Sequence, residues 1–166
     1  MGSAIAASAG AMGPSAGGSN YYPYSTIGGT SIIQSGLMPR GVGMTIPGVG
    51  IYVNPASAHD LGLLRHEFGH VLQAQLWGEG TYFSRVVPTS IESFNLASKY
   101  GDPMAHYSTW TEWSANKLSY EYFGEPADWN TNAYRLSPNP NVNNPYSQMP
   151  NDLLQRFPVL FINKTQ

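Results

Sequence analysis

Cysteine is absent from the sequence, which removes disulfide scaffolds, thiolate-zinc sites and cysteine nucleophiles together. Any metal would have to be held by His, Asp or Glu. Charge is scarce too: Asp, Glu, Lys and Arg make up 11% of the chain, less than half of the roughly 25% usual in soluble domains, so the polyelectrolyte signature of a disordered chain is missing. Eight basic residues face ten acidic ones, for a net charge of -2. That balance leaves no basic excess to follow a phosphate backbone, and nucleic acid is not an expected partner. No apolar run reaches the roughly 18 residues of a membrane span. Residues 1–20, MGSAIAASAGAMGPSAGGSN, lack the cationic start and unbroken apolar stretch of a signal peptide.

What is present fits one globular domain. The 166 residues are 42% apolar and 13% aromatic, enough for one domain with a modest core but not for a second full domain. The 18 glycines and 13 prolines exceed the usual share and point to many turns. Residues 1–20 read as a flexible Gly/Ala/Ser-rich segment, in keeping with a piece of a larger polypeptide, and residues 21–166 as a single domain. Short β-branched and aromatic runs between residues 21 and 55 suggest a small N-terminal β-sheet, with Val49 to Asn54 as its clearest strand. Three helices follow. Ser57-Ala-His-Asp60 reads as a capping box opening a helix to about Trp77, ended by Gly78 and Gly80. Thr89-Ser-Ile-Glu92 opens a second to about Tyr100, and Thr109-Trp-Thr-Glu112 a third to about Phe123. From about residue 136 the Asn/Pro-rich stretch LSPNPNVNNPYSQMP reads as an extended surface coil.

The chemistry concentrates in His66-Glu67-Phe68-Gly69-His70, an H-E-x-x-H pattern on the first predicted helix. Four residues return a helix to nearly the same face, so both imidazoles turn toward one ion while Glu67 lies about 100° round, within reach of a water on that ion. Leu61, Leu64, Phe68, Val71 and Leu72 gather on the side opposite the histidines, giving one packing face and one ligand face. Gly69 permits another backbone to approach closely, or simply allows tight helix packing. Without a metal, the two histidines would be ordinary hydrogen-bonded residues of a half-buried helix.

A catalytic zinc takes three protein ligands and keeps a position for water. His106, Glu112 and Glu92 are the candidates for the third. Glu112 is followed one turn later by Asn116, able to hydrogen-bond the outer nitrogen of a ligating histidine, while Ala115 and Ser119 would let the two helices approach closely. Its alternative role is the capping box with Thr109. Glu92 has the same capping explanation and no useful residue one turn on. His106 stands in a polar stretch before the third helix, as a ligand, a transition-state donor or a surface histidine. His59 reads as a helix-start residue.

The pair HEFGH and TEWSAN resembles the gluzincin class of zinc metallopeptidases, in which a Glu from a later helix completes H-E-x-x-H. The longer strings HEFGHVLQAQLWG and WTEWSANKL are similar to peptidase-like domains attached to bacterial Rhs-type and other effector proteins. The resemblance spans roughly residues 49 to 124. It implies an α+β, zincin-like domain with zinc on His66, His70 and Glu112 and with Glu67 as general base. Asn116 stands where many gluzincins carry Asp. The resemblance also implies that the strand before the active-site helix, here Val49 to Asn54, offers its edge to an extended peptide; it is compatible with a chain secreted or delivered by a bacterial secretion system, while the sequence itself assigns no location.

The leading expectation is therefore a zinc-dependent endopeptidase acting on a peptide or protein, with Glu67 as base and His106, Tyr107 or Tyr120 stabilising the transition state. The alternatives are a non-catalytic zinc-stabilised binding module, against which the presence of Glu67 argues, and a toxin-like peptidase domain released from a larger polypeptide.

Overall fold

A computed structural model describes residues 24–142 and 144–157; the Gly/Ala/Ser-rich segment 1–20 lies outside them. The fold is mixed α+β. Among the described residues four short strands, β1 (Thr26–Ile27), β2 (Thr30–Gln34), β3 (Gly43–Ile46) and β4 (Gly50–Val53), form one sheet in the order β1-β2-β4-β3. β3 and β4 make an antiparallel hairpin, and β4 runs parallel to β2. The hairpin turn follows from Pro47-Gly48: Val49 N–H donates to Ile46 O at 3.0 Å and Gly48 has φ +76°, the left-handed value required at the third position of a type II turn. Val49 thus belongs to the turn, not the strand.

This order corrects the expectation about the peptide-accepting edge. β4 is an interior strand, paired on both sides, whereas β3 ends the sheet. Ile51 and Val53 of β4 are fully buried, as an apolar strand flanked on both sides demands.

Six α-helices follow among the described residues: α1 (Leu61–Trp77), α2 (Glu79–Thr81), α3 (Val87–Tyr100), α4 (Pro103–Tyr107), α5 (Trp110–Tyr122) and α6 (Asn151–Leu154). α1 starts later than Ser57. Residues 55–57 form a separate 3₁₀ turn, and the Asp60 carboxylate caps α1 by accepting from Leu63 N–H at 3.0 Å. The Thr89–Glu92 box caps nothing, because the chain enters α3 through five π-helical residues, Tyr82–Val86, and Thr89 lies inside the helix. Thr109 does precede α5, but its side chain makes no capping bond. Ser57 Oγ instead accepts from Gly41 N–H at 2.9 Å, and Thr109 Oγ1 donates to Ala105 O at 3.3 Å.

α1 is buried on more than one face. Leu63, Leu64, Phe68 and Val71 pack with Ile27, Ile51, Val53 and Ala58 under the sheet, while Ala74 and Trp77 join Tyr82, Val86, Trp110, Leu118, Met149, Leu153 and Phe157 in a second core. The one-face picture drawn from sequence is corrected accordingly: Glu67, His70 and Gln73 are buried as well. The Asn/Pro-rich stretch is corrected too. It is irregular, yet Met149, Leu153 and Phe157 anchor its end in the second core, and Arg85 pairs with Asp152 of α6. Apolar residues spaced along a coil can pay for its ordering when a helix pair leaves a groove to fill.

α1 and α5 touch backbone to backbone at Gly69. A Cβ there would stand 2.1 Å from Ala115 O, and Ala115 and Ser119 on the facing helix are fully buried. Gly69→Ala should therefore force the helices apart and destabilise the protein by at least the roughly 1–3 kcal/mol of an overpacked core, read by denaturant unfolding; an unchanged midpoint would contradict this contact. Among the described residues, no helix is long and apolar enough to cross a membrane.

Candidate metal centre

The site lies where the two cores meet, under β3 and between α1 and α5. His66 and His70 face one another one turn apart on α1, with ring centroids 5.0 Å apart. From α5, Glu112 enters between them: its Oε2 lies 3.3 Å from His66 Nε2 and 3.6 Å from His70 Nε2. The ligand atoms of these three residues all lie within 4.8 Å of one another. They form a buried group able to hold a metal ion. His106, from α4, also turns its Nε2 to Glu112 Oε2, at 3.6 Å. Of the sequence candidates, Glu92 is exposed and accepts a hydrogen bond from the Tyr146 hydroxyl, and His59 lies in the turn before α1.

The bonds behind the imidazoles settle which nitrogen each presents. His66 Nδ1 lies 2.8 Å from Asn116 Oδ1, and Asn116 Nδ2 donates to Arg135 O at 3.0 Å. His70 Nδ1 lies 2.8 Å from Gln73 Oε1, while Gln73 Nε2 donates to Thr111 O and Ser114 Oγ at 2.6 and 2.8 Å. Each amide thus spends its nitrogen elsewhere and offers its oxygen to the ring, so both Nδ1 atoms carry hydrogen and, in the neutral rings, both Nε2 lone pairs face the centre. Gln73 does for His70 what Asn116 does for His66.

Glu112 is held just as firmly. Its Oε1 accepts from Ser90 Oγ at 2.7 Å and Thr111 Oγ1 at 2.9 Å, leaving Oε2 for the imidazoles. The alternative cap role is thereby excluded in this structure: the carboxylate turns inward instead of back toward Thr109, since three imidazoles and two hydroxyls surround it there. Burial would push the Glu112 carboxyl up, but His106, His66 and His70 together hold it well below the usual carboxylate range. Burial would likewise lower His66, yet Glu112, helped by Glu67 and Asn116, holds it at about 9. His70 is raised against burial, chiefly by Glu112. For His106 burial wins, with the neighbouring imidazoles adding to it, and its pKa falls.

Glu67 is buried beneath the sheet edge. Thr45 of β3 reaches its carbonyl oxygen at 2.8 Å and its Oε2 at 2.9 Å, sharing one hydroxyl hydrogen between the two. A Cβ at Gly43 would lie 2.5 Å from Glu67 Cγ and Oε1, so only glycine lets β3 pass this close. Tyr82 closes the same side, its hydroxyl donating to Thr45 O at 3.3 Å; burial, with Glu67 and Glu112 nearby, raises its pKa.

The three sequence candidates for transition-state contacts separate. His106 faces the centre, and Tyr107 stacks obliquely on it with centroids 5.8 Å apart. Tyr120 instead packs edge-on against Trp129 at 5.4 Å. Sequence reading missed Tyr134, whose ring lies 5.7 Å from that of His66 at a 32° tilt and whose pKa is raised by burial, then by Asp60, Tyr107 and Glu67. It also missed Gln73, Thr45, Ser90, Ser93 and Thr111. Only Gln73 carried a signal, sitting one helical turn after His70.

Compared with known protein families, with curated proteins and with solved structures, the chain matches none.

Proposed function

We propose that the protein is a zinc-dependent endopeptidase. The carrying observation is the convergence of two Nε2 atoms and one carboxylate oxygen on one point, with a second carboxylate, Glu67, adjacent in the chain to one ligand and held by Thr45. Two imidazoles and a carboxylate suit zinc; calcium and magnesium prefer all-oxygen shells. The order of parts, H-E-x-x-H on α1 and Glu on α5, is that of the gluzincins. When bound, zinc would polarise a scissile carbonyl and bring the pKa of a coordinated water near 7.

The chain's residues supply the rest. Glu67 takes a proton from the attacking water and passes it to the leaving amine. Thr45 keeps that carboxylate aimed, and Asn116 and Gln73 keep the two imidazoles in the ligating tautomer. The outer edge of β3 carries no strand among the described residues, and an extended peptide laid along it would pass directly over Glu67. His106 stands ready to hydrogen-bond the developing oxyanion, provided that Ser93 Oγ, 2.8 Å from its Nδ1, donates there and leaves the hydrogen on Nε2. A toxin-like peptidase would use the same chemistry.

One observation favours a second reading, a closed non-catalytic zinc module. Ser93 Oγ also lies 3.0 Å from Ser90 O. If its hydrogen goes there, His106 Nδ1 carries hydrogen and its Nε2 lone pair becomes a third imidazole donor.

Elemental analysis of protein prepared without a metal-affinity tag, paired with peptide-library cleavage, tests the proposal. About one equivalent of zinc and chelator-sensitive cleavage are expected; less than a few tenths of an equivalent of any transition metal, after zinc is offered, would sink it. Zinc affinity should also depend on pH. Because the metal-free His66 holds a proton up to a pKa of about 9 and His70 is raised as well, those protons must leave on binding, and the apparent affinity should rise about tenfold or more per pH unit between 6 and 8. Competition titrations with a chelator of known pH behaviour read the slope, and a flat profile would contradict the Glu112–His66 pair.

A further inference from the structure

Thr45 belongs to an edge strand and is nevertheless buried. β3 ends the sheet, and an edge strand presents a row of unpaired backbone groups, yet Thr45 is only 6% exposed. The hairpin turn fixes which way that row faces. Ile46 O accepts from Val49 N–H and so points toward the returning chain of β4. Backbone groups alternate in direction along a strand, so Thr45 C=O points away from β4, to the outer edge. There the Tyr82 hydroxyl donates to it at 3.3 Å, and Tyr82 itself is 3% exposed. A side chain thus occupies the backbone acceptor that an added strand would use. The same Thr45 donates its own hydroxyl to Glu67 Oε2, so the occupied position adjoins the metal group.

The segment that carries Tyr82 is built differently from the helices on either side. α1 stops at Gly78, whose φ of 88° and ψ of 148° break the helix. Glu79 reaches the hairpin turn, where a Cβ on Gly48 would stand 3.7 Å from its Oε1. Gly80 is exposed, with open space where a Cβ would stand. Tyr82–Val86 then adopt π-helical spacing, Val87 N–H donating to Tyr82 O, a rare arrangement met frequently at functional sites. A one-residue change of register there would turn the Tyr82 side chain by about 100°. Phe83 and Ser84 face solvent, so the outer side of the segment is free to move.

Resting on the peptidase reading above, we propose that residues 79–86 form a strap that closes the outer edge of β3, with Tyr82 as its catch, and that a substrate peptide opens it by giving a backbone N–H to Thr45 O in place of the Tyr82 hydroxyl. One donor leaves as another arrives, so Thr45 O keeps a partner in the closed and in the peptide-bound state. What the opening costs is the packing of the Tyr82 ring, which lies 6.3 Å from that of His70 and 5.4 Å from that of Phe83. Because peptide binds only the open form, its apparent affinity is lowered by the fraction of molecules that are closed. The strap therefore restrains the site until an extended chain with a free N–H is laid along β3.

The test reads binding apart from turnover. A blocked alanine hexapeptide is titrated into zinc-supplemented Glu67→Gln and Glu67→Gln/Tyr82→Phe proteins, and binding is followed by NMR. Tyr82→Phe keeps the ring and removes the catch, so the doubly substituted protein should bind the peptide about threefold to tenfold more tightly, the scale of one hydrogen bond. Its denaturant midpoint should fall at the same time, because Thr45 O then lacks a partner in the closed state; a purely structural role for Tyr82 would lower the midpoint without tightening the binding. Should the Tyr82→Phe protein fail to fold, hydrogen exchange on the Glu67→Gln protein serves the same end: peptide should speed exchange of the amides from Tyr82 to Val87 and shift the Tyr82 ring resonances. Equal or weaker binding by the Tyr82→Phe protein, exchange unchanged by peptide, or no peptide binding to either protein overturns the proposal. Tighter binding through Tyr82→Phe in a protein whose wild type cuts nothing would sink the peptidase reading and leave the strap standing; metal-dependent cleavage with Tyr82→Phe indifferent would do the reverse.

Discussion

Glu67→Gln should keep the metal and the fold and lose about 10³ to 10⁴ in peptide hydrolysis, the upper part of the range for removing a positioned general base. The side chain is buried against Gly43, where a Cβ would meet its Cγ at 2.5 Å, and no larger or reshaped group would fit. Glutamine has the same shape, and its amide oxygen still accepts from the Thr45 hydroxyl that now lies 2.9 Å from Oε2. What the substitution removes is the capacity to take a proton. Bound zinc, thermal unfolding and kcat measured on the same preparation check this. Equal cleavage by variant and parent would assign the activity to another residue or to a contaminant.

Glu112→Ala and His106→Ala should separate cleanly. Glu112 provides an oxygen close to both His66 and His70, so its removal should cost more zinc affinity than the roughly 10–100-fold seen when only a partner behind a ligand is lost. In the metal-free variant the His66 pKa should also fall from about 9, because burial then acts with its chief opponent gone. His106→Ala should retain zinc and lose about 10² to 10³ in turnover, the scale for one oxyanion donor. Parallel metal titrations, histidine NMR and peptide kinetics decide the matter. If His106→Ala drops the metal while Glu112→Ala keeps it, the centre is a three-histidine one and the gluzincin-like order fails at its last ligand.

Asn116 and Gln73 bear on both results. They are neutral, so they orient the imidazoles through Nδ1 without strengthening them as a carboxylate would. The negative charge behind the centre is left to Glu112 and Glu67. This makes the charge balance of the group depend on two residues, which is why either substitution is expected to act so strongly.

The sequence by itself determined the parts governed by local periodicity. The spacing of His66 and His70 puts both rings on one side of any helix that forms there, whatever surrounds it, and Glu112 with Asn116 repeats the same logic on α5. Gly78 and Gly101 end α1 and α3 with positive φ, a property legible in any glycine at a helix end. The mixed α+β composition was legible for the same reason, since alternation and helical spacing are short-range signals.

Only the tertiary structure decided the rest, because it depends on residues far apart in the chain competing for the same groups. A capping box is a local promise that Glu112 broke once three imidazoles and the hydroxyls of Ser90 and Thr111 lay nearer than the helix end. Strand order gave β4 two neighbours and left the edge to β3, a choice between pairings that hydrophobic alternation does not encode. Thr45, Ser93 and Tyr134 look like any other threonine, serine and tyrosine in sequence; they became parts of the site when packing carried them to Glu67, His106 and His66. The ligand atoms were written in the helix period, and Gln73 aims His70 from the same helix, but His66, Glu112 and Glu67 are held by Asn116, Ser90 and Thr45, 22 to 50 residues away in the chain, where the energy of a bond is set by burial and geometry rather than by neighbouring letters.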